Sequence, residues 1–322
     1  MHTTSGRWLR GFLLALTTAI LWGILPVTMK EVLKNMDAYT ITWYRFTVAA
    51  LCLFIYLYTK RKLPRPKTLG YKGIILLILA TIGLLGNYIT YVMGLELLTP
   101  GTAQLMMQAG PLLLIVASVI IFKESFNYLQ MLAVVILLAG FLLFFNQRLV
   151  ELFTSLGNYT LGVIILFFSA ILWAGYGLCQ KQLLVKWNSM QILLTIYILS
   201  SCILFPVSHP SSITHLSTVQ LWLLIFSCAN TIIAYGAFAE ALAHWEASKV
   251  TATLTLAPLI TFITATIGAI IWPAYVIADS LNIVAYLGAM VVVMGSALIA
   301  LSPVLLKKIK ERRKKTNYSQ NS

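Results

Sequence analysis

Apolar residues run in continuous stretches of about twenty positions, and each stretch is bounded by charge, by Pro or Gly, or by a polar cluster. Ten such runs stand out, at 8–30, 38–59, 72–94, 100–122, 127–145, 159–184, 189–206, 218–240, 248–271 and 281–305. A bilayer crossing takes roughly 20 residues of helix, and a segment in lipid has to satisfy its own backbone hydrogen bonds. Barrel strands would instead alternate apolar and polar positions. The pattern predicts an all-α integral membrane protein with ten transmembrane helices. The connections are short, and the longest, from about Asn146 to Asn158, joins the fifth run to the sixth.

Composition narrows the picture. Of 322 residues, 60% are hydrophobic and 10% charged, and the mean hydropathy is +0.88. Those values exclude a soluble globular chain and a disordered one, and ten crossings leave no length for a second, water-soluble domain. The net charge of +14 does not point to nucleic acid, because the basic residues sit in blocks flanking apolar runs, such as Lys60–Lys72 and Lys307–Lys315. With a cytoplasmic N-terminus, 19 Lys and Arg fall on the cytoplasmic side against 3 on the other, with Arg45 left inside the second run. The positive-inside rule therefore places both termini in the cytoplasm. Cys52, Cys179, Cys202 and Cys228 all lie in apolar runs without CxxC spacing, which gives neither a zinc site nor a disulfide framework. The first run is too long for the core of a secretory signal and lacks a cleavage site, so it reads as the first membrane helix.

The chain also repeats itself. Ala19-Ile-Leu-Trp-Gly-Ile-Leu-Pro-Val-Thr-Met-Lys30 aligns without a gap on Ala170-Ile-Leu-Trp-Ala-Gly-Tyr-Gly-Leu-Cys-Gln-Lys181 at an offset of 151. Tyr91 and Glu96 match Tyr235 and Glu240 at 144, Pro111 matches Pro258 at 147, and Asn127 and Gly140 match Asn282 and Gly295 at 155. Helices one to five and six to ten are thus expected to be two copies of one unit. Five is odd, so the second copy enters the membrane from the opposite side, as in many inverted-repeat secondary transporters.

At these residues the sequence resembles the drug/metabolite transporter superfamily, in its EamA-type branch of ten-helix carriers. The resemblance rests on Ala19-Ile-Leu-Trp-Gly with Lys30, on Trp43-Tyr-Arg45-Phe, and on Pro111 followed thirteen residues on by Lys123-Glu124. It covers 11–146 and 160–303 as two repeats, with a basic cytoplasmic tail at 304–322. It implies a multi-pass carrier of the bacterial inner membrane that moves a small metabolite, an amino acid or a similar polar or amphipathic solute, outward by alternating access. The family's solutes differ widely, so the substrate stays open. Two departures stand out: no acidic residue follows Pro258 by thirteen positions, where Ile271-Trp272-Pro273 stands, and Arg45 has no counterpart in helix seven.

Candidate pathway residues follow from position and repetition. Trp22 and Trp173 lie about fifteen residues into their helices, away from the interfaces where Trp concentrates. They either pack between helices or form aromatic walls of a central cavity. The second reading draws support from the breakers Gly23 and Pro26, and Gly175 and Gly177, which can unwind or bend a helix beside a cavity. Gln104, Gln108 and Pro111 share a face of helix four, and Thr251, Thr255 and Pro258 repeat that stripe on helix nine. Asn87 and Tyr91 share a face of helix three, Tyr235 repeats it in helix eight with Asn230 or Thr231, and Tyr176 and Gln180 add polar groups to helix six. All of these are cavity candidates, with helix-to-helix hydrogen bonding as the alternative.

Charged residues are candidates for gating or charge coupling. Arg45, about 10 Å along helix two, either snorkels to the outer surface or a carbonyl, or attracts a carboxylate-bearing solute. Lys30 and Lys181 fall at helix ends on opposite faces, as do Glu96 and Glu240, where interface capping competes with a role in proton coupling. No HExxH, G-x-S-x-G or phosphate loop is present. The expectation is a non-enzyme without cofactor or metal, whose partners are its solute, the lipid bilayer and, in one version, a counter-moving proton. A membrane-embedded enzyme and a non-transporting receptor or assembly partner are the rivals. Oligomeric state is left open.

Overall fold

The computed structural model describes residues 7–122, 127–276 and 279–320. It is built from helices: α1 (Trp8–Val32), α2 (Ala38–Thr59), α3 (Gly70–Leu97), α4 (Pro100–Met106), α5 (Ala109–Phe122), α6 (Tyr128–Phe144) and the short α7 (Leu149–Thr154). The second half follows as α8 (Asn158–Leu183), α9 (Ser189–Leu204), α10 (Thr218–His244), α11 (Ala247–Leu254), α12 (Ala257–Ile271) and α13 (Ile283–Gln320). Among the described residues no strand occurs. Among the described residues eight segments are long and apolar enough to cross a membrane. Two of the ten expected runs do not reach that measure as single helices. α6 has 17 residues, about 25 Å of helix, and the run 100–122 is interrupted between α4 and α5. The run 248–271 is also interrupted, between α11 and α12. The last helix runs on to Gln320, through the segment expected to be a tail. The Lys123-Glu124 pair lies outside the described residues.

The helix starts carry their own signals. Asp37 caps α2 through Tyr39 and Thr40 N–H, and Asn188, 151 positions on, caps α9 in a reciprocal box with Gln191. Asn127 caps α6 in the same way with Gln130, and Asn282, 155 positions on, accepts from the Ala285 N–H at the start of α13. The offsets that relate the sequence repeats therefore relate the caps too.

Packing joins the two halves throughout. α3 lies along α8 and α1 along α10, α6 pairs with α13, and α2 with α9. Each of these four pairings has an exchanged counterpart among them or is its own. The α6–α13 crossing is the closest instance: Gly140 meets the backbone of Val292, and Gly295 meets the backbone of Leu137. Without a hydrophobic force between helices in lipid, such small residues let backbones approach and supply the packing. Large apolar side chains, among them Leu51, Ile55, Ile78, Leu138, Ile267 and Met290, remain exposed on the outside of the bundle, as a lipid-facing surface requires.

Candidate functional site

Helices α4 and α11 end where a proline five or four residues on has no N–H to give. Pro111 cannot bond the Met107 carbonyl, and Pro258 cannot bond that of Leu254. The chain turns instead at Met107–Gln108 and at Thr255–Leu256, held by Gln108 N to Leu105 O at 2.9 Å and Leu256 N to Thr253 O at 3.2 Å. A single helix-four stripe and a single helix-nine stripe were expected; each is in fact split at its middle polar residue. Polar side chains join the two turns. Gln108 donates from Nε2 to the Thr255 carbonyl at 3.5 Å and accepts from Ser296 Oγ at 2.8 Å.

Around the turns lies a cavity of about 160 Å³. α1 contributes Trp22 and Leu25, α2 Arg45, and α3 Asn87, Tyr88 and Tyr91; Gln104, Met107, Gln108 and Pro111 come from α4, its turn and α5. The second half adds Trp173 from α8, Tyr235 from α10, Thr251 and Leu254 from α11, Thr255 from the turn and Ala257 from α12. Trp22 packs edge-on to Tyr235, with ring centroids 5.4 Å apart. The Tyr91 hydroxyl donates to Gln104 Oε1 at 2.8 Å. Asn87 and Ser169 bond each other, Asn87 Nδ2 to Ser169 Oγ at 2.9 Å and Ser169 Oγ to the Asn87 carbonyl at 3.0 Å, which fixes α3 on α8.

Arg45 does not snorkel. It is 3% exposed, with Nε donating to Thr231 Oγ1 at 3.0 Å and Nη1 to Met29 Sδ at 3.3 Å. Its guanidinium carbon lies 4.7 Å from the centre of the Tyr88 ring. Three helices thus hold it inside the bundle, so its long side chain faces the cavity and not the outer surface.

Other expected residues lie elsewhere. Tyr176 is buried in the α3–α8 contact, where Gly83 lets the helices approach, and it does not line the cavity. Gln180 is not on the cavity wall either. Lys30 Nζ caps the end of α3 through the carbonyls of Leu95, Glu96 and Leu98 at 2.8, 2.8 and 2.9 Å. Glu96 and Lys181 are exposed at helix ends. Glu240 bonds Arg10 at 3.3 Å and His244 at 3.1 Å. α1 and α8 are continuous through Pro26 and Gly177, so of the unwinding or bending that such residues allow, neither helix is unwound there. Side chains from the other half bond the α1 backbone on either side of Trp22, whose carbonyl loses its donor to Pro26: Asn230 donates to the Leu21 carbonyl at 2.6 Å and Thr261 to that of Gly23 at 2.8 Å. Pro258 is buried at the start of α12 behind Ala257.

Sequence reasoning missed Tyr88, although it stands one turn before Tyr91. It also missed Asp279. That residue precedes Asn282 by three positions, as Glu124 precedes Asn127, so the second repeat does hold an acid there, eight residues later than the count from Pro258 predicts. Asp279 is buried against the start of α4, beside Gly101, and among the described residues neither carboxylate oxygen has a hydrogen-bond partner of good geometry. Burial raises its pKa, while Thr99 and the Gly101 backbone pull the other way.

An all-helical membrane bundle with a cavity lined from both halves, mostly apolar with a few polar groups, is the build of a solute carrier. The EamA-like transporter family model matches residues 9–146 and again 160–301, and the chain belongs to that family. It is 44% identical over 287 residues to the "Uncharacterized inner membrane transporter YhbE" of Escherichia coli (strain K12), covering 89% of each chain. An "Uncharacterized transporter" of Haemophilus influenzae is 39% identical over 298 residues, which is 92% of this chain and 97% of that one. A further one from Archaeoglobus fulgidus is 24% identical over 78% of this chain and 86% of its own. A solved crystal structure matches with a TM-score of 0.59 at 16% identity, over 94% of this chain and 99% of that one, and shares the fold alone.

Proposed function

We propose that the chain is a secondary carrier of the bacterial inner membrane that moves a small polar or amphipathic metabolite by alternating access. In this reading ten segments cross the bilayer as two inverted five-helix repeats, 11–146 and 160–303, with both termini in the cytoplasm. The observation that carries it is the cavity at the paired helix breaks, to which both halves contribute in matched positions. Broken helices with cavity-facing turns are where membrane carriers place their solute. The exchanged packing of the halves and the distribution of Lys and Arg support the inverted arrangement. Outward direction is inferred from the family's exporters, and the solute gradient or a counter-moving proton supplies the driving force.

Trp22, Asn87, Tyr91, Gln104, Gln108, Trp173, Tyr235, Thr251 and Thr255 are assigned here to the solute. The test is counterflow of a panel of amino acids and related metabolites into proteoliposomes. Trp22→Ala and Gln108→Ala should lose uptake while the protein remains folded. Wild-type rates in both variants would remove the cavity from the pathway. Labelling of cysteines introduced at the two chain ends should be possible from the cytoplasmic side alone.

A further inference from the structure

We propose that Arg45 is a docking point for a carboxylate, and that the solute is an amphipathic organic monoanion whose recognition needs no ammonium group. This deepens the carrier reading and rests on it for the transport step. The observation is a buried positive charge with no carboxylate opposite it among the described residues. Arg45 is 3% exposed and lines the cavity, yet among the described residues no carboxylate lies within ion-pair distance of it. A charge held inside a membrane bundle is costly unless paired. The protein meets only part of its hydrogen-bonding capacity. A guanidinium has five N–H donors; one goes to Thr231 and one to the sulfur of Met29, a weak acceptor. The remaining donors have no acceptor among the described residues.

Those contacts orient the group without neutralising it. Thr231 on α10 and Met29 on α1 hold the guanidinium, and the Tyr88 ring packs against it at 4.7 Å. A planar fork held in this way suits the two oxygens of a carboxylate. Among the described residues the cavity wall has no Asp or Glu to receive an ammonium. The amide oxygens of Gln104 and Gln108 already accept from Tyr91 and Ser296, at 2.8 Å each, so the open capacity of Gln104 is its N–H donors. Trp22, Trp173 and Tyr235 supply apolar surface for the rest of the solute. At about 160 Å³ the space is on the scale of cavities of about 150 Å³ that admit a benzene ring.

The test compares matched probes on the purified full chain in detergent by thermal unfolding: phenylacetate, neutral phenylacetamide, cationic phenethylamine, zwitterionic phenylalanine, and acetate and chloride as small anions. Benzoate, indole-3-acetate and hexanoate extend the acids. At roughly ten times Kd an acid should raise the midpoint by about 2–4 °C, while amide and amine leave it unchanged. Arg45→Gln should abolish the shift, and Arg45→Lys should keep a weaker one. Equal stabilisation by the amide, or a stronger effect of phenylalanine than of phenylacetate, overturns the proposal. So does an equal effect of acetate or chloride, a silent panel of acids, or an undiminished response in Arg45→Gln. The acid–amide comparison uses the wild-type chain and does not depend on the variant folding. Counterflow of the stabilising acid separates the two readings. Binding without counterflow keeps the carboxylate site and defeats the carrier reading, whereas counterflow of a neutral solute that survives Arg45→Gln does the reverse.

Discussion

The side chain of Gln108 reaches the backbone carbonyl of Thr255, Nε2 to O at 3.5 Å, and so ties the break in one half of the molecule to the break in the other. The two residues are repeat counterparts, 147 positions apart, and both sit where a helix has lost its hydrogen-bond ladder to a following proline. A turn of this kind exposes backbone groups to the cavity, and in lipid such a turn is tolerated only where it lines one.

Pro111 and Pro258 are therefore expected to hold the turns open. Pro111→Ala restores an N–H that can bond the Met107 carbonyl, and Pro258→Ala does so for Leu254. An interior proline disfavours a continuous helix by about 3 kcal/mol, so each substitution favours closing its break. Thermal stability should hold or rise, and counterflow should fall most steeply when both are replaced. Unchanged transport in the double variant would mean that the turns play no part in the solute path.

Much of this was readable from spacing alone. Gln104, Gln108 and Pro111, with Thr251 and Thr255, reach one cavity because steps of four and three residues keep a common face even across a tight turn. Periodicity says nothing about what lies opposite a helix. Trp173, Tyr176 and Gln180 share a stripe on α8, yet the close approach at Gly83 takes Tyr176 into the α3–α8 contact and away from the cavity. Arg45 could not be placed from sequence for the same reason: its partners Thr231, Met29 and Tyr88 come from three other helices. Asp279 was hidden by a longer loop, since a fixed count from Pro258 lands on Ile271.

The α6–α13 seam gives a prediction about stability. A Cβ on Gly140 would collide with the backbone at Val292, and one on Gly295 with the backbone at Leu137. Backbone cannot swing aside as a side chain does, so the helices would have to separate. Gly140→Leu and Gly295→Leu should each destabilise the protein by about 1–3 kcal/mol, the usual range for overpacking. Because the two contacts share one seam, the double variant should depart from additivity. Thermal unfolding of the single and double variants checks this, and wild-type midpoints would show that α6 and α13 do not meet through these glycines.

Asp279 gives a prediction about pH. Its carboxyl is buried at the start of α4, and burial raises its pKa from the ordinary value. Tyr159 also sits at this end of the bundle, with Arg148 stacked on its ring at 4.9 Å, and Arg148 pairs with Glu151 at 2.7 Å. Well below about pH 4, the ordinary carboxylate value, Asp279 is neutral in the folded and unfolded chains alike and its burial carries no charge penalty. As pH rises, the unfolded chain releases the proton first, so the folded state binds more protons and its stability falls with pH until the buried group ionises too. Asp279→Asn removes that dependence and should be at least as stable as wild type at pH 7, with the difference shrinking toward pH 4. Melting curves of both proteins from pH 4 to 8 decide it. A variant less stable than wild type at pH 7 would mean that the ionised carboxylate has a stabilising partner at the start of α4.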